Sequence, residues 1–192
     1  KPLQLLPLYK EETLVCERDT HQAHVLLGNR GYSMSHADRT TLFLLNNILG
    51  GPGMNSLLNV SLREKHGLVY NVESNTFCYQ DTGVWSIYFG CDESKVKQCQ
   101  RLVNRELETL CSTPLSERTL NMAKKQLMGQ ILIAGDNFES YSLALGKTFA
   151  LTGQHRDFDK ICERIQSISA NDMMRVAQDV FSPNRLTTLI YR

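Results

Sequence analysis

Apolar positions recur along this chain with two different periods, and the change between them divides it. Residues 1–13 read as a lead-in segment. From Leu14 to Gly28 the pattern is extended, consistent with two strands broken at Asp19-Thr20, and Asn29-Arg30-Gly31 reads as a turn. Helical spacing begins near Ala37 and sets Leu42, Leu45, Ile48 and Leu49 on one face, until Gly50-Gly51-Pro52 stops it. A short helix is expected from Asn55 to Lys65, with Leu58 and Leu62 inward and Gly67 as its stop. Period-two patterning then returns. Val69–Tyr79 and Val84–Cys91 are rich in aromatic and β-branched residues and predict a hairpin around Gln80-Asp81-Thr82-Gly83.

Beyond Asp92 the chain is predicted helical almost to its end. Val96, Cys99, Val103, Leu107 and Leu110 step by 3, 4, 4 and 3, an amphipathic face. Thr113-Pro114 restarts the chain into a helix with Leu120, Ala123, Leu127 and Ile131 inward. Further helices are expected over 137–151 and 158–168, and Ser169-x-x-Asp172 has capping-box spacing ahead of Met173, Val176, Ala177 and Val180. Arg185–Tyr191 closes as a strand. Strands at both ends and in the middle, with helices grouped between them, predict an α+β fold: an antiparallel-rich sheet with several helices packed on one face.

Composition narrows the function classes. Lys plus Arg number 21 against 20 Asp plus Glu, so the net charge of +1 gives no basis for binding nucleic acid or an acidic membrane. No apolar run approaches the ~20 residues of a membrane span. The chain opens on Lys1 rather than Met, with no signal-peptide pattern in residues 1–10, as expected of a processed product or an excised piece. Six cysteines lie scattered without a C-x-x-C pair, so small buried thiols are expected rather than a zinc ribbon or a disulfide framework. His21 and His24 stand three apart, but on a strand an odd spacing sends the rings to opposite faces. No H-x-x-E-H, H-E-x-x-H or G-x-S-x-G occurs. No metal site is therefore expected in this chain.

Gly50-Gly51-Pro52-Gly53 is a poor phosphate loop, because Pro52 removes a backbone donor and no Lys-Ser/Thr follows. A helix-linking turn is the expected reading. Beside a cleft, Gly50, Gly51 and Gly53 can also touch an extended substrate. Further on, Arg63 and Tyr70 bracket one helix-to-strand corner, and both can donate hydrogen bonds to a carbonyl or oxyanion. On residue chemistry alone Arg63 is equally one charge of a solvated Arg-Glu-Lys run, and Tyr70 a partly buried strand aromatic.

The stretch Gly50-Gly51, Met54, Ser56-Leu57-Leu58, Leu62-Arg63-Glu64-Lys65 and Gly67-Leu68-Val69-Tyr70, followed by Asp81-x-Gly83, resembles one half of the pitrilysin/insulinase-type (inverzincin) zinc metallopeptidases. That group includes mitochondrial processing peptidase and bacterial zinc proteases. The resemblance runs from about Gln22 to the C-terminus and is to the half that lacks the zinc motif. It implies a half-domain of the LuxS/MPP-like metallohydrolase fold, with residues 1–192 forming a single, non-catalytic domain. It also implies zinc and a Glu base in a homologous partner half, fused upstream or separate, and a peptide substrate. Arg63 and Tyr70 would be the catalytic contacts to that substrate, active only with the partner half. The chain alone would be inactive, in a soluble protein of the bacterial cytoplasm or periplasm. Leu57 departs from the Arg usual after the Ser of this motif. The alternative from another class is a structural or assembly subunit that keeps the peptidase-like fold.

Overall fold

A computed structural model describes residues 9–18, 21–153, 155 and 157–192. Most of the lead-in segment and the expected strand break at Asp19-Thr20 lie outside the described residues. Five strands form one sheet in the order β1-β5-β2-β4-β3. β2 (Ala23–Gly31) and β4 (Gly83–Cys91) make its centre and pair antiparallel over their whole length. Their inward residues lie opposite one another: Val25 with Phe89, Leu27 with Ile87 and Asn29 with Trp85. This alternation buries one face and leaves the other to His24, Leu26 and Tyr88, as a one-sided antiparallel sheet requires. β5 (Thr187–Tyr191) pairs antiparallel with β2 and parallel with β1 (Thr13–Cys16), so the sheet is antiparallel-rich rather than wholly antiparallel. β3 (Val69–Cys78) forms the far edge against β4.

Among the described residues the α-helices are, in chain order, α1 (Arg39–Gly50), α2 (Val96–Ser112), α3 (Glu117–Gly135), α4 (Phe138–Thr152), α5 (Phe158–Ser167) and α6 (Ala170–Val180). α2 buries all five residues of its predicted face, and α6 answers with Met173, Val176, Ala177 and Val180. Each such side chain contributes roughly 1.5–3 kcal/mol when fully withdrawn from water. The Ser169 hydroxyl accepts from the Asp172 amide while the Asp172 carboxylate accepts from the Ser169 amide, completing the predicted capping box. α4 has no buried residue, and Phe138, Leu143 and Phe149 are exposed along it.

Three expectations are corrected. Asn29-Arg30-Gly31 is not a turn: the ladder runs on through Arg30 opposite Val84 and Gly31 opposite Gly83, and the Asn29 amide donates to the Val180 carbonyl at 2.9 Å. The short helix expected over roughly 55–65 is present from Leu57, but Asn59–Glu64 winds as a π-helix, closed by the Lys65 amide on the Val60 carbonyl at 3.0 Å. Among the cysteines, only Cys91 and Cys99 are fully buried; Cys16, Cys78, Cys111 and Cys162 are half-buried, and all six are free thiols. Small size lets a thiol fill gaps at the rim of a core as readily as its centre.

Candidate functional site

The site forms where the end of α1 meets the edge strand β3. α1 ends in residues that allow a close approach. A Cβ on Gly50 would lie 2.8 Å from both the backbone nitrogen and the Cβ of Ser74, so only glycine lets the helix end touch the strand here. One turn earlier, Asn46 donates to the Ser74 carbonyl at 2.9 Å and accepts from its hydroxyl at 2.6 Å. The Trp85 indole N–H donates to the same hydroxyl at 3.0 Å, and the Trp85 ring stacks on Phe181 at 4.3 Å. This buried polar chain satisfies every group in it and fixes β3 to α1. At its other end α1 is pinned by Asp38, which accepts two hydrogen bonds from Arg175 at 2.8 and 2.7 Å and whose carboxyl is held below its usual range by them.

The corner between the π-helix and β3 is fixed by backbone hydrogen bonds. The Gly67 amide donates to the Arg63 carbonyl and the Leu68 amide to the Leu62 carbonyl, both at 2.9 Å. Gly67 takes φ +58, the left-handed conformation that ends a helix. Just beyond, Val69 pairs with Cys91 and Val72 with Phe89, so Tyr70 and Asn71 stand opposite Gly90 alone. Such a bulge re-aims side chains at a strand end. Tyr70 is 83% exposed, which corrects the reading of a partly buried strand aromatic.

Between these elements lies a cleft of about 520 Å³, walled by α1, the glycine turn, the π-helix, β3 and α3. Arg63, Gly50 and Gly51 line it; Gly53 sits in the adjoining turn, and Tyr70 stands at the neighbouring corner rather than in the wall. The Arg63 guanidinium is half-exposed and meets Glu64 at 3.9 Å, a contact too long and too wet to hold it firmly. The other lining residues are mainly side-chain amides and apolar groups: Asn47, Asn59, Asn71, Asn75 and Gln130 with Phe43, Leu127 and Ile131. Sequence reading missed these amides. The available signal was asparagine inside the apolar run of α1, which interrupts its hydrophobic face without a helix stop.

The histidines do not converge. His24 Nδ1 shares a hydrogen bond with the Tyr88 hydroxyl at 2.7 Å, and His66 donates to the Ser61 carbonyl at 2.6 Å. Among the described residues no group of three His, Cys, Asp or Glu side chains gathers in one place. These residues do not supply the donor set that a zinc ion needs. No helix of the described residues is long and apolar enough to cross a membrane.

The five-stranded α+β fold is shared with solved structures. The protein from Helicobacter pylori described as a protease superposes with a TM-score of 0.85 at 21% identity, over 95% of this chain and 44% of that one. The peptidase M16 inactive domain from Pseudomonas fluorescens gives 0.83 at 20% identity, over 95% and 43%. The family described as Peptidase M16 inactive domain matches residues 1–127, and the chain belongs to it. Among curated relatives, the uncharacterized zinc protease YmxG of Bacillus subtilis is 29% identical over 184 residues, 96% of this chain and 45% of its own length. An uncharacterized zinc protease of Streptomyces coelicolor is 33% identical over 163 residues, 85% of this chain and 35% of its own. The chain thus spans less than half the length of these curated relatives.

Proposed function

We propose that residues 1–192 act as one domain, the substrate-gripping, chamber-forming half of a zinc-dependent metalloendopeptidase. The observation that carries the reading is Arg63: a weakly held guanidinium in the wall of a peptide-sized cleft, seven positions before an exposed tyrosine at the same corner. Family membership and the zinc-protease names of the relatives support it. Arg63 donates to a peptide carbonyl near the scissile bond, which orients the chain. Tyr70 donates its phenol proton in a hydrogen bond to the oxygen that becomes negative on attack. Gly50, Gly51 and Gly53 offer backbone groups to the same peptide where side chains would obstruct it. Zinc held by the partner half would supply Lewis-acid activation of water, with a glutamate there as base. This chain contributes hydrogen bonds and shape.

The test is Arg63→Ala and Tyr70→Phe in the complete assembly with the zinc-binding half. Loss of an oxyanion donor lowers turnover by about 10²–10³-fold, and that fall with assembly unchanged is the expected result. Unaltered turnover would remove both residues from the mechanism and leave the scaffold role. The purified chain alone is expected to cleave nothing and to hold no stoichiometric zinc; zinc-dependent cleavage by it would overturn the reading.

A further inference from the structure

The cleft holds an unusual concentration of amides that have no bond to make inside the protein. Asn47, Asn59, Asn71, Asn75 and Gln130 come from α1, the π-helix, β3 and α3, and none has a side-chain hydrogen-bond partner among the described residues. Asn46 shows the contrast, since its amide is fully engaged by Ser74. Asn47 is only 8% exposed as a residue, yet its amide has no protein partner and its polar atoms keep their access to the solvent of the cleft. A carboxamide carries a donor and an acceptor side by side, which complements a peptide group in a way a lone cation does not.

The charge balance points the same way. Arg63 and Glu73 are the charged residues of the lining, one of each sign, so the lining itself carries no net charge with which to select a charged ligand. We infer that the side-chain amides of Asn59, Asn71, Asn75 and Gln130 hold the backbone of an extended peptide, so that this half selects an uncharged, extended chain rather than a particular side-chain sequence. The inference rests on the peptidase reading above and adds the residues that would do the holding. Phe43, Leu127 and Ile131 supply the apolar contacts that favour neutral side chains at this place.

The purified chain and a neutral peptide carrying an uncharged fluorophore test it by anisotropy. Affinity should change by less than about twofold as salt rises to about 0.5 M, where screening removes most surface electrostatics. Asn71→Leu and Gln130→Met, both at the solvent-facing wall, should each weaken binding about five- to tenfold, roughly 1–1.4 kcal/mol. A copy of the peptide with alternate backbone nitrogens methylated should lose about tenfold or more. Circular dichroism confirms that each variant is folded. Binding that is indifferent to N-methylation and to both substitutions overturns the inference, as does binding that collapses with salt or fails altogether in folded protein. The peptidase reading has its own fate. If Arg63→Ala abolishes turnover in the assembly while Asn71→Leu and Gln130→Met alter neither KM nor binding, the amides fall and the peptidase half stands.

Discussion

The α2–α6 layer and the corner where α1, the π-helix and β3 meet obey different rules. In the layer, local preferences agree with the fold along the buried faces: apolar residues at helical spacing and a capping box at Ser169. At the corner, local preferences are overridden. Asn46 and Asn47 lie buried in a helix, Gly50 is a helix end pressed on a strand, six residues wind as a π-helix, and β3 bulges at Tyr70-Asn71. Sequences agree with their folds except where a function demands otherwise. The contrast separates the part that stabilises the domain from the part that carries the proposed substrate contacts. Both residues proposed to grip substrate belong to the second part.

Substitutions sharpen that contrast in order of size. Phe181→Ala removes a fully buried ring and its stack on Trp85, and should cost about 3–5 kcal/mol in urea unfolding. Peptide binding at temperatures where the variant stays folded should be nearly unchanged. Gly50→Ala places a methyl 2.8 Å from the Ser74 nitrogen and should cost about 1–3 kcal/mol, the range for overpacking. Here binding should fall together with stability, because the shift opens the α1–β3 contact that forms the cleft. If binding survives at full strength, the corner is less tightly coupled than described.

Ser169→Ala breaks the capping box of α6 and should cost about 1 kcal/mol without touching the cleft. The smallest effect is a pH dependence. Arg175 lowers the Asp38 carboxyl below its unfolded value, so the pair contributes stability above the unfolded pKa of about 4, lost as pH falls through the depressed folded value. The pair is half in water, so at most about 1 kcal/mol is at stake. Acid titration of stability in Arg175→Met should show that increment missing above about pH 4 and converging with the parent at lower pH.

Much of this was legible from the order of residues. Helical spacing in α2 and α6 places their buried faces, because a face of apolar residues at steps of three and four has only one way to turn inward. The Ser169 cap, the β3–β4 hairpin and the glycine stop at Gly67 come from local chemistry and neighbouring motifs. Asn29-Arg30-Gly31 was misleading because turn-forming residues can extend a strand when a neighbouring ladder pairs them, as Val84 and Gly83 do. The π-helix left no local trace, since its i to i−5 bonding is decided by what packs around it. The same holds for the cleft. Its amides lie on four elements between positions 47 and 130, each unremarkable in its own segment. The sequence determined the helices, the hairpin and the absence of a metal-binding motif, all properties of residues within a few positions of each other. Tertiary structure alone decided which polar groups gathered around Arg63, because that depends on residues distant along the chain.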